Sequence, residues 1–492
     1  MDDHVPLDSP VATRAVEMLV FATELQPPAR WIMSDPSQIS HVLKLPLKCH
    51  AQEGVELESY LSLLDASLAW LGDDEVQKFA VQHPHIDEAL QLLQGVLENV
   101  DRRRDDFEDE TEQDIRNRAE LMLKSLCDIS SRDEFSEYAL NDAVIQKLVG
   151  WVRGQRSPVL SEPSPIGART NTYEINETLA TCACLMLGNV ARSNQTCVSM
   201  VEDFAVHLAA ISVIRCSNDP RLLHAAAGFL RHLAFATSIK DRLGDEGLLE
   251  ECFRLFELRN ENLDLAGLST LRQLVRGSHR NCERLLSAAR SIEASTTPHD
   301  DNERPHLGVS DTDSSTTTIL PPQRTYLAAL LDICYRHIGS DSPAAKSIIS
   351  ETARLIVSIL RTIKQADSEP QAYSPSKSTS HTTLVHRLYA ETMIANPLLL
   401  VIQNRIGAAA VSEAWFGLAL TAQHREGAVV VLNSFTERGS FSLLKGVVHQ
   451  IDGDQEVPSA DRDNAIALVR LLLAHAVSWM LIHGRAPHEN SV

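Results

Sequence analysis

The sequence predicts an all-α chain of stacked helical repeats, a right-handed superhelical solenoid carrying disordered insertions, and three observations predict it. Between Glu177 and Leu286 the chain says nearly the same thing three times: ACLMLGNVARSNQTCVSMV from Ala183, AAGFLRHLAFATSIKDRLG from Ala226 and GLSTLRQLVRGSHRNCERL from Gly267. Anchored on Leu187, Leu230 and Leu271, the copies stand 43 and 41 residues apart, close to the period of ~40–47 residues that marks armadillo and HEAT repeats. Almost every other ordered stretch has apolar residues at helical spacing, with no sustained alternating strand pattern. The third observation is length. At 492 residues the chain far exceeds one ordinary core, whereas a repeat array escapes that limit by burying surface between neighbours.

Taken in order, residues 1–153 read as helical, armadillo-like repeats. Val11 to Glu24, Leu57 to Leu71 and Ile86 to Val100 are amphipathic, and DRRRDDFEDETEQD at 101–114 is either a solvated helix of mixed charge or an acidic loop. Leu121 to Ile129 restarts the repeat pattern, and Glu134 to Val152 is one further apolar-periodic piece. GQRSPVLSEPSPIGARTNT, residues 154–172, is rich in Pro, Ser and Gly and reads as a loop inserted between repeats. That insertion explains why Leu123 and Leu187 are 64 residues apart. Residues 173–289 hold the core repeats. Residues 290–323 carry too few apolar side chains to offset their ordering entropy and are expected to be disordered. Residues 324–485 read as divergent repeats interrupted by a second polar linker at 366–382, a candidate for phosphorylation, although a Ser-Pro pair such as its Ser374-Pro375 is common in any linker. There LRTI (360–363) and LNSF (432–435) echo the LRHL and LRQL of the clear copies.

Composition narrows the function classes. Forty-five basic against 66 acidic residues give a formal charge of −21. That balance disfavours nucleic acid and anionic membranes, which are bound through clustered Lys and Arg, and favours a basic partner; the competing reading is that acidity keeps a long array soluble. Nine cysteines are scattered without a repeated spacing, so a disulfide framework is not expected and most of them read as small buried packing residues. Cys182 and Cys184 stand two apart on a helix and cannot share a metal. The start MDDHVPLDSP lacks the pattern of a secretory signal. Ala465 to Ile482 carries Arg470 and His475 and reads as a terminal packed helix, not a membrane span. A cytoplasmic location without integral membrane association is expected, and neither cofactor nor metal.

Chemistry is not signalled. There is no G-x-x-x-x-G-K-[ST], H-E-x-x-H, G-x-S-x-G or G-x-G-x-x-G after a strand. His83 and His85 flank Pro84 without a Cys or acidic companion at ligand spacing. The expectation is a binding protein and not an enzyme.

In an armadillo unit the third helix lines the concave wall, and the residue two after the anchoring Leu points along the groove. In this chain that residue is Asn189, then His232, then Gln273, with Ser125, Thr362 and Ser434 in the weaker copies. One turn on, the same face presents Arg192 or Ser193, Phe235 or Ala236, and Arg276 or Gly277. Amide and imidazole groups suit hydrogen bonding to a partner's backbone. The competing readings are that Asn189 bonds its own neighbouring loop and that His232 is a polar surface or capping group. Leu185, Met186, Leu187, Val190 and Leu230 are core by spacing. Acid gathers at Glu202, Asp203, Asp219, Asp241, Asp245, Glu246, Glu250, Glu251 and Glu257, either for helix dipoles or as a patch for a basic peptide.

At these residues the chain resembles the small-GTPase GDP-dissociation stimulators of the smgGDS type. Their G-N-x-A-R-[ND] with a following Cys and Met-Val is matched by Gly188, Asn189, Ala191, Arg192, Cys197, Met200 and Val201, with Ser193 at the [ND] place. A-L-R-N-L-A is matched by Phe229, Leu230, Arg231, His232, Leu233 and Ala234, and G-T-L-R-x-L by Thr270 to Leu274 with the glycine at Gly267. The resemblance covers about 110 residues. It implies an exchange factor and chaperone-like binder for Rho- or Rap-type GTPases with basic, prenylated tails. The partner-binding set would then be Asn189, Arg192, Ser193, Arg231, His232, Phe235, Gln273 and Arg276. The alternative is an armadillo interaction scaffold, such as an adaptor of the ataxin-10 kind, without effect on nucleotide.

Overall fold

Several helices begin where a short polar side chain can accept the first free N–H groups. Asn176, Ser193, Asp219, Ser278 and Thr325 each accept from the backbone N–H three residues on, at 2.7–3.1 Å. The computed structural model describes residues 14, 18, 21, 35, 37–51, 57–82, 84–102, 109–141, 143–156, 173–287, 325–368, 384–449 and 457–483. It is all-α in class, a helical array of the armadillo and HEAT kind. The chain divides into two units, Met1–Thr270 and Leu271–Val492.

The first unit holds α1 Gln38–Ala51, α2 Leu57–Gly72, α3 Asp74–Ala80, α4 His85–Arg102, α5 Asp109–Ser130, α6 Asp133–Asn141, α7 Val144–Arg153, α8 Glu177–Val190, α9 Asn194–Glu202, α10 Val206–Cys216, α11 Pro220–Leu233, α12 Lys240–Asp245 and α13 Leu248–Glu257. α14, Glu261–Val275, crosses the boundary between the units. α2 packs on α5, α5 on α8 and α8 on α11. Thr270 on α14 adds the next rung, its Oγ1 lying 3.1 Å from the Ala227 carbonyl of α11. A second row runs through α7, α10 and α13. Every third helix is therefore a rung, with two helices between successive rungs, which is the physical origin of the 41–43-residue period. The anchors Leu187, Leu230 and Leu271 are fully buried, as the spacing predicts.

The piece expected as one helix over Glu134 to Val152 is two, α6 and α7. Of the mixed-charge segment, 101–102 end α4 and 109–114 begin α5, while 103–108 lie outside the described residues. So do 157–172, 288–324 and 369–383, which hold most of the three expected insertions, and nearly all of Val11 to Glu24. The insertion after α7 has a base of its own. Gln155 pairs with Glu174 and Arg156 with Tyr173 in a two-residue antiparallel ladder.

One glycine on α14 is required by close approach. A Cβ on Gly267 would stand 2.6 Å from Phe256 Cε1 and 3.3 Å from the Cys252 carbonyl, so this residue sets how near α13 comes to α14.

The second unit continues with α15 His279–Leu285, α16 Tyr326–Arg336, α17 Pro343–Ser368, a short helix over 384–390, α18 Asn396–Gln403, α19 Ala408–Thr421, α20 Arg425–Glu437, α21 Phe441–His449 and α22 Ser459–His483. α17 packs on α19 and α19 on α22. Arg272 pairs with the nearly buried Glu351, Arg354 and Arg361 reach Glu413 at 3.4 and 3.2 Å, and Arg361 lies 4.9 Å over the Phe416 ring.

Inside the first unit, His207 on α10 is fully buried, and among the described residues neither ring nitrogen has a hydrogen-bond partner. Burial, helped by the charge of Arg242, pushes its pKa down to about 4. The folded imidazole stays neutral where the unfolded one, near 6.5, takes a proton. Its contribution to stability is complete above about pH 6.5 and is lost progressively as the pH falls toward 4. Between pH 7 and 4.5 the expected loss from this residue is on the order of 2 kcal/mol. Urea titrations at both pH values check it, with His207→Leu expected to flatten the difference.

Candidate functional site

The predicted site lies at the C-terminal ends of the row helices, and most of it turns inward. Asn189 is half-buried; its Nδ2 donates to the Cys127 carbonyl at 3.1 Å and to Ser130 Oγ at 2.9 Å, both on α5. His232 Nδ1 lies 2.9 Å from the Gly188 carbonyl of α8. A carbonyl only accepts, so the ring proton sits on Nδ1 and Nε2 faces Arg231 Nη2 at 3.5 Å. In the second unit Thr362 Oγ1 lies 3.2 Å from the Val275 carbonyl and accepts from the Gly277 N–H at 2.8 Å. Asn, His and Thr thus do one job. Each clasps the C-terminal end of the preceding row helix, where backbone carbonyls run out of intrahelical N–H donors.

This corrects the expectation that the residue two after the anchor points along a groove. Asn189 and His232 hold the repeats together, and Gln273, in the second unit, is buried. Ser125 is buried on α5. Ser434 is not on a row helix; it is buried on α20, the helix that follows α19 as α9 follows α8. Arg192 donates to Asp133 Oδ1 at 2.8 Å and to the Ser131 carbonyl. Ser193 is the N-cap of α9, its Oγ accepting from Thr196 N at 3.0 Å. Cys197, also in the motif, directs its thiol at the His232 carbonyl. Arg231 is half-buried, and its Nε has no acceptor among the described residues. Phe235 is half exposed, its ring 6.1 Å from His232, and Arg276 is exposed in the second unit.

What the row does present to solvent was missed or misassigned. Leu185, expected in the core, is exposed, and so is Leu121, the residue at the equivalent place on α5 two before Leu123. The other four residues read as core by spacing, Met186, Leu187, Val190 and Leu230, are buried. On the N-terminal side of the two leucines lies a cavity of 220 Å³, between α4, α5, α8 and the start of α11. Leu97, Ala119 and Leu123 form its apolar floor, and Thr178 and Thr181 line it from α8. Arg221 on α11 reaches over α8 to Glu120 on α5, Nη1 to Oε1 2.6 Å, so one ion pair spans the row above the cavity. Glu177 and Asp219 complete the rim. Partial burial, with the charge of Asp219 beside it, raises the Glu177 carboxyl above its usual range.

The acidic residues singled out by sequence lie elsewhere. Glu202 and Asp203 end α9, Asp241 and Asp245 are on α12, and Glu246, Glu250, Glu251 and Glu257 are on or beside α13. Only Asp219, the N-cap of α11, borders the row. Among the described residues no group of three or more His, Cys, Asp and Glu is placed to hold a metal ion. Burial pushes the thiols of Cys184 and Cys197 up to about 12 and about 11, as suits packing residues. No single described helix is long and apolar enough to cross a membrane.

No family model and no curated protein matches the chain. Among solved structures, an engineered protein is 13% identical over 95% of this chain and 97% of its own, with a TM-score of 0.46. A structure described as "A conserved phosphorylation switch controls the interaction between cadherin and beta-catenin in vitro and in vivo" is 12% identical over 96% of this chain and 74% of its own, with a TM-score of 0.48. At those values neither neighbour bears on function.

Proposed function

We propose that this chain is a binding protein for small GTPases of the Rho or Rap type and promotes GDP release from them without covalent chemistry. The docking face in this proposal is the row α5–α8–α11. The observation that carries it is the combination of exposed Leu121 on α5 and Leu185 on α8, with exposed Phe235 just beyond α11, and a charged, partly open cavity between those helices. A surface of apolar anchors ringed by polar groups suits a protein partner. The GTPase is named on the resemblance at 183–286, and the proposed meeting place is the cytosol. Release follows if the protein binds the nucleotide-free GTPase more tightly than the GDP-bound form.

A second reading, an interaction scaffold with no effect on nucleotide, is favoured by one specific observation. Asn189, Arg192, Cys197 and His232, which carry much of the resemblance, are engaged within the chain. Repeat stacking alone therefore accounts for those residues.

Release of fluorescent GDP from Rho and Rap GTPases, prenylated and unprenylated, separates the two. The proposal expects at least a tenfold faster release from one of them, equivalent to lowering the barrier to GDP release by about 1.4 kcal/mol. Binding without acceleration selects the scaffold, and failure to bind any of them removes the GTPase from both readings.

A further inference from the structure

We propose that the cavity beneath the Glu120–Arg221 pair receives a single arginine or lysine side chain from a protein partner. The inference deepens the proposed function, since it rests on the row α5–α8–α11 being the docking face, and it states what enters that face.

Shape comes first. The cavity has an apolar floor of Leu97, Ala119 and Leu123 and polar walls, so its interior changes from hydrocarbon to oxygen within one side chain's length. A long basic side chain has the same gradient, an aliphatic stem ending in a charged head. A purely apolar side chain would leave Thr178 and Thr181 without water or partner, and an acidic one would face two carboxylates.

Charge points the same way. Three carboxylates and two guanidinium groups border the cavity, but they are not evenly matched. Arg116 is held by Glu112 at 2.7 Å, and Arg221 by Glu120. Asp219 accepts the Leu222 N–H as a helix cap. Glu177 has neither a hydrogen bond nor an ion pair among the described residues, and its nearest charged influence is the like charge of Asp219. A cation between these two groups would satisfy both.

The spanning pair makes the cavity adjustable. Glu120 and Arg221 are each more than half exposed, and ion pairs of that kind contribute between about 0 and 1 kcal/mol. It can part at little cost when a partner arrives. Removing Arg221 should therefore open the cavity and leave Glu120 free to bind as well.

The test uses the full chain and a fluorescein-labelled dodecapeptide carrying four arginines, with the same peptide in citrulline form as a neutral isostere. The arginine peptide is expected to bind and the citrulline peptide to bind at least tenfold more weakly. Glu177→Gln and Asp219→Asn are each expected to weaken binding about tenfold, the worth of one charge-assisted contact. Asn caps a helix as well as Asp, so the second variant keeps the start of α11. Arg221→Gln is expected to act in the opposite direction and tighten binding several-fold. Glu202→Gln, an exposed acid on α9, should change nothing. Equal binding of both peptides, no effect of Glu177→Gln, or the same loss with Glu202→Gln would overturn the inference. If GDP release is seen while Glu177→Gln and Arg221→Gln leave both assays unchanged, the cavity assignment fails and the GTPase proposal stands.

Discussion

Gly427→Ala is expected to lower the stability of the second unit by about 3 kcal/mol or more, one of the two largest effects of a change at so few atoms. Gly427 sits in the first turn of α20, where the chain has just left α19. A Cβ there would stand 2.0 Å from the Thr421 carbonyl oxygen and 2.9 Å from the Tyr389 ring. Overpacking a fitted site commonly costs about 1–3 kcal/mol. Here the obstacle includes backbone, which does not swing aside as a flexible side chain would. The α19–α20 junction must therefore shift. Chemical denaturation followed by circular dichroism measures the loss; a change within 0.5 kcal/mol of the parent would mean the junction relaxes freely. Gly150, whose Cβ would meet nothing within 4 Å, is the matched control and should gain or lose little as alanine.

The second large effect belongs to the clasp. Replacing Asn189 and Arg192 together with alanine is expected to destabilise the first unit by about 3 kcal/mol. Asn189 makes two hydrogen bonds to α5, each worth about 1 kcal/mol net, and its loss leaves the Cys127 carbonyl and Ser130 hydroxyl without that donor. Arg192 adds less because it is exposed, although it binds both Ser131 and Asp133. Groove residues read from spacing alone would be removable without harm to the fold; this geometry expects the opposite. The midpoint of thermal unfolding decides between them. Asn189→His, which copies the side chain the next repeat uses at this place, is expected to recover part of the loss. An alanine pair that melts with the parent would show that the clasp contributes nothing.

The same residues show what a sequence can convey and what it cannot. The period was legible because Leu187, Leu230 and Leu271 must each be buried between successive rungs, which leaves a spacing in the chain. The direction of Asn189 was legible too, two residues past the anchor and about one-half turn away. Its depth was not. Whether that direction ends in solvent depends on how closely α5 approaches, and residues sixty positions earlier in the chain set that distance. Leu185 illustrates the converse error: residue type argued for the interior, whereas it is exposed and no described helix covers it. LNSF resembled a row helix because any amphipathic helix repeats its apolar positions alike, so Ser434 was placed on the wrong member of the triplet. The cavity left no linear trace at all. Glu120, Glu177 and Arg221 come from three helices, and nothing in their spacing announces that they meet.

The two-residue ladder at Gln155–Arg156 and Tyr173–Glu174 has a consequence for how this architecture can change over time. By bringing the outgoing and returning strands to neighbouring positions, it makes that junction a port at which length is nearly free. The entropy of closing such an excursion grows only with the logarithm of its span, about 0.6 kcal/mol per doubling. New sequence can be spliced there, lengthened or exchanged while α7 and α8 keep their seats. Novelty can thus accumulate at one hinge of the chain without asking the stacked helices to be rewritten.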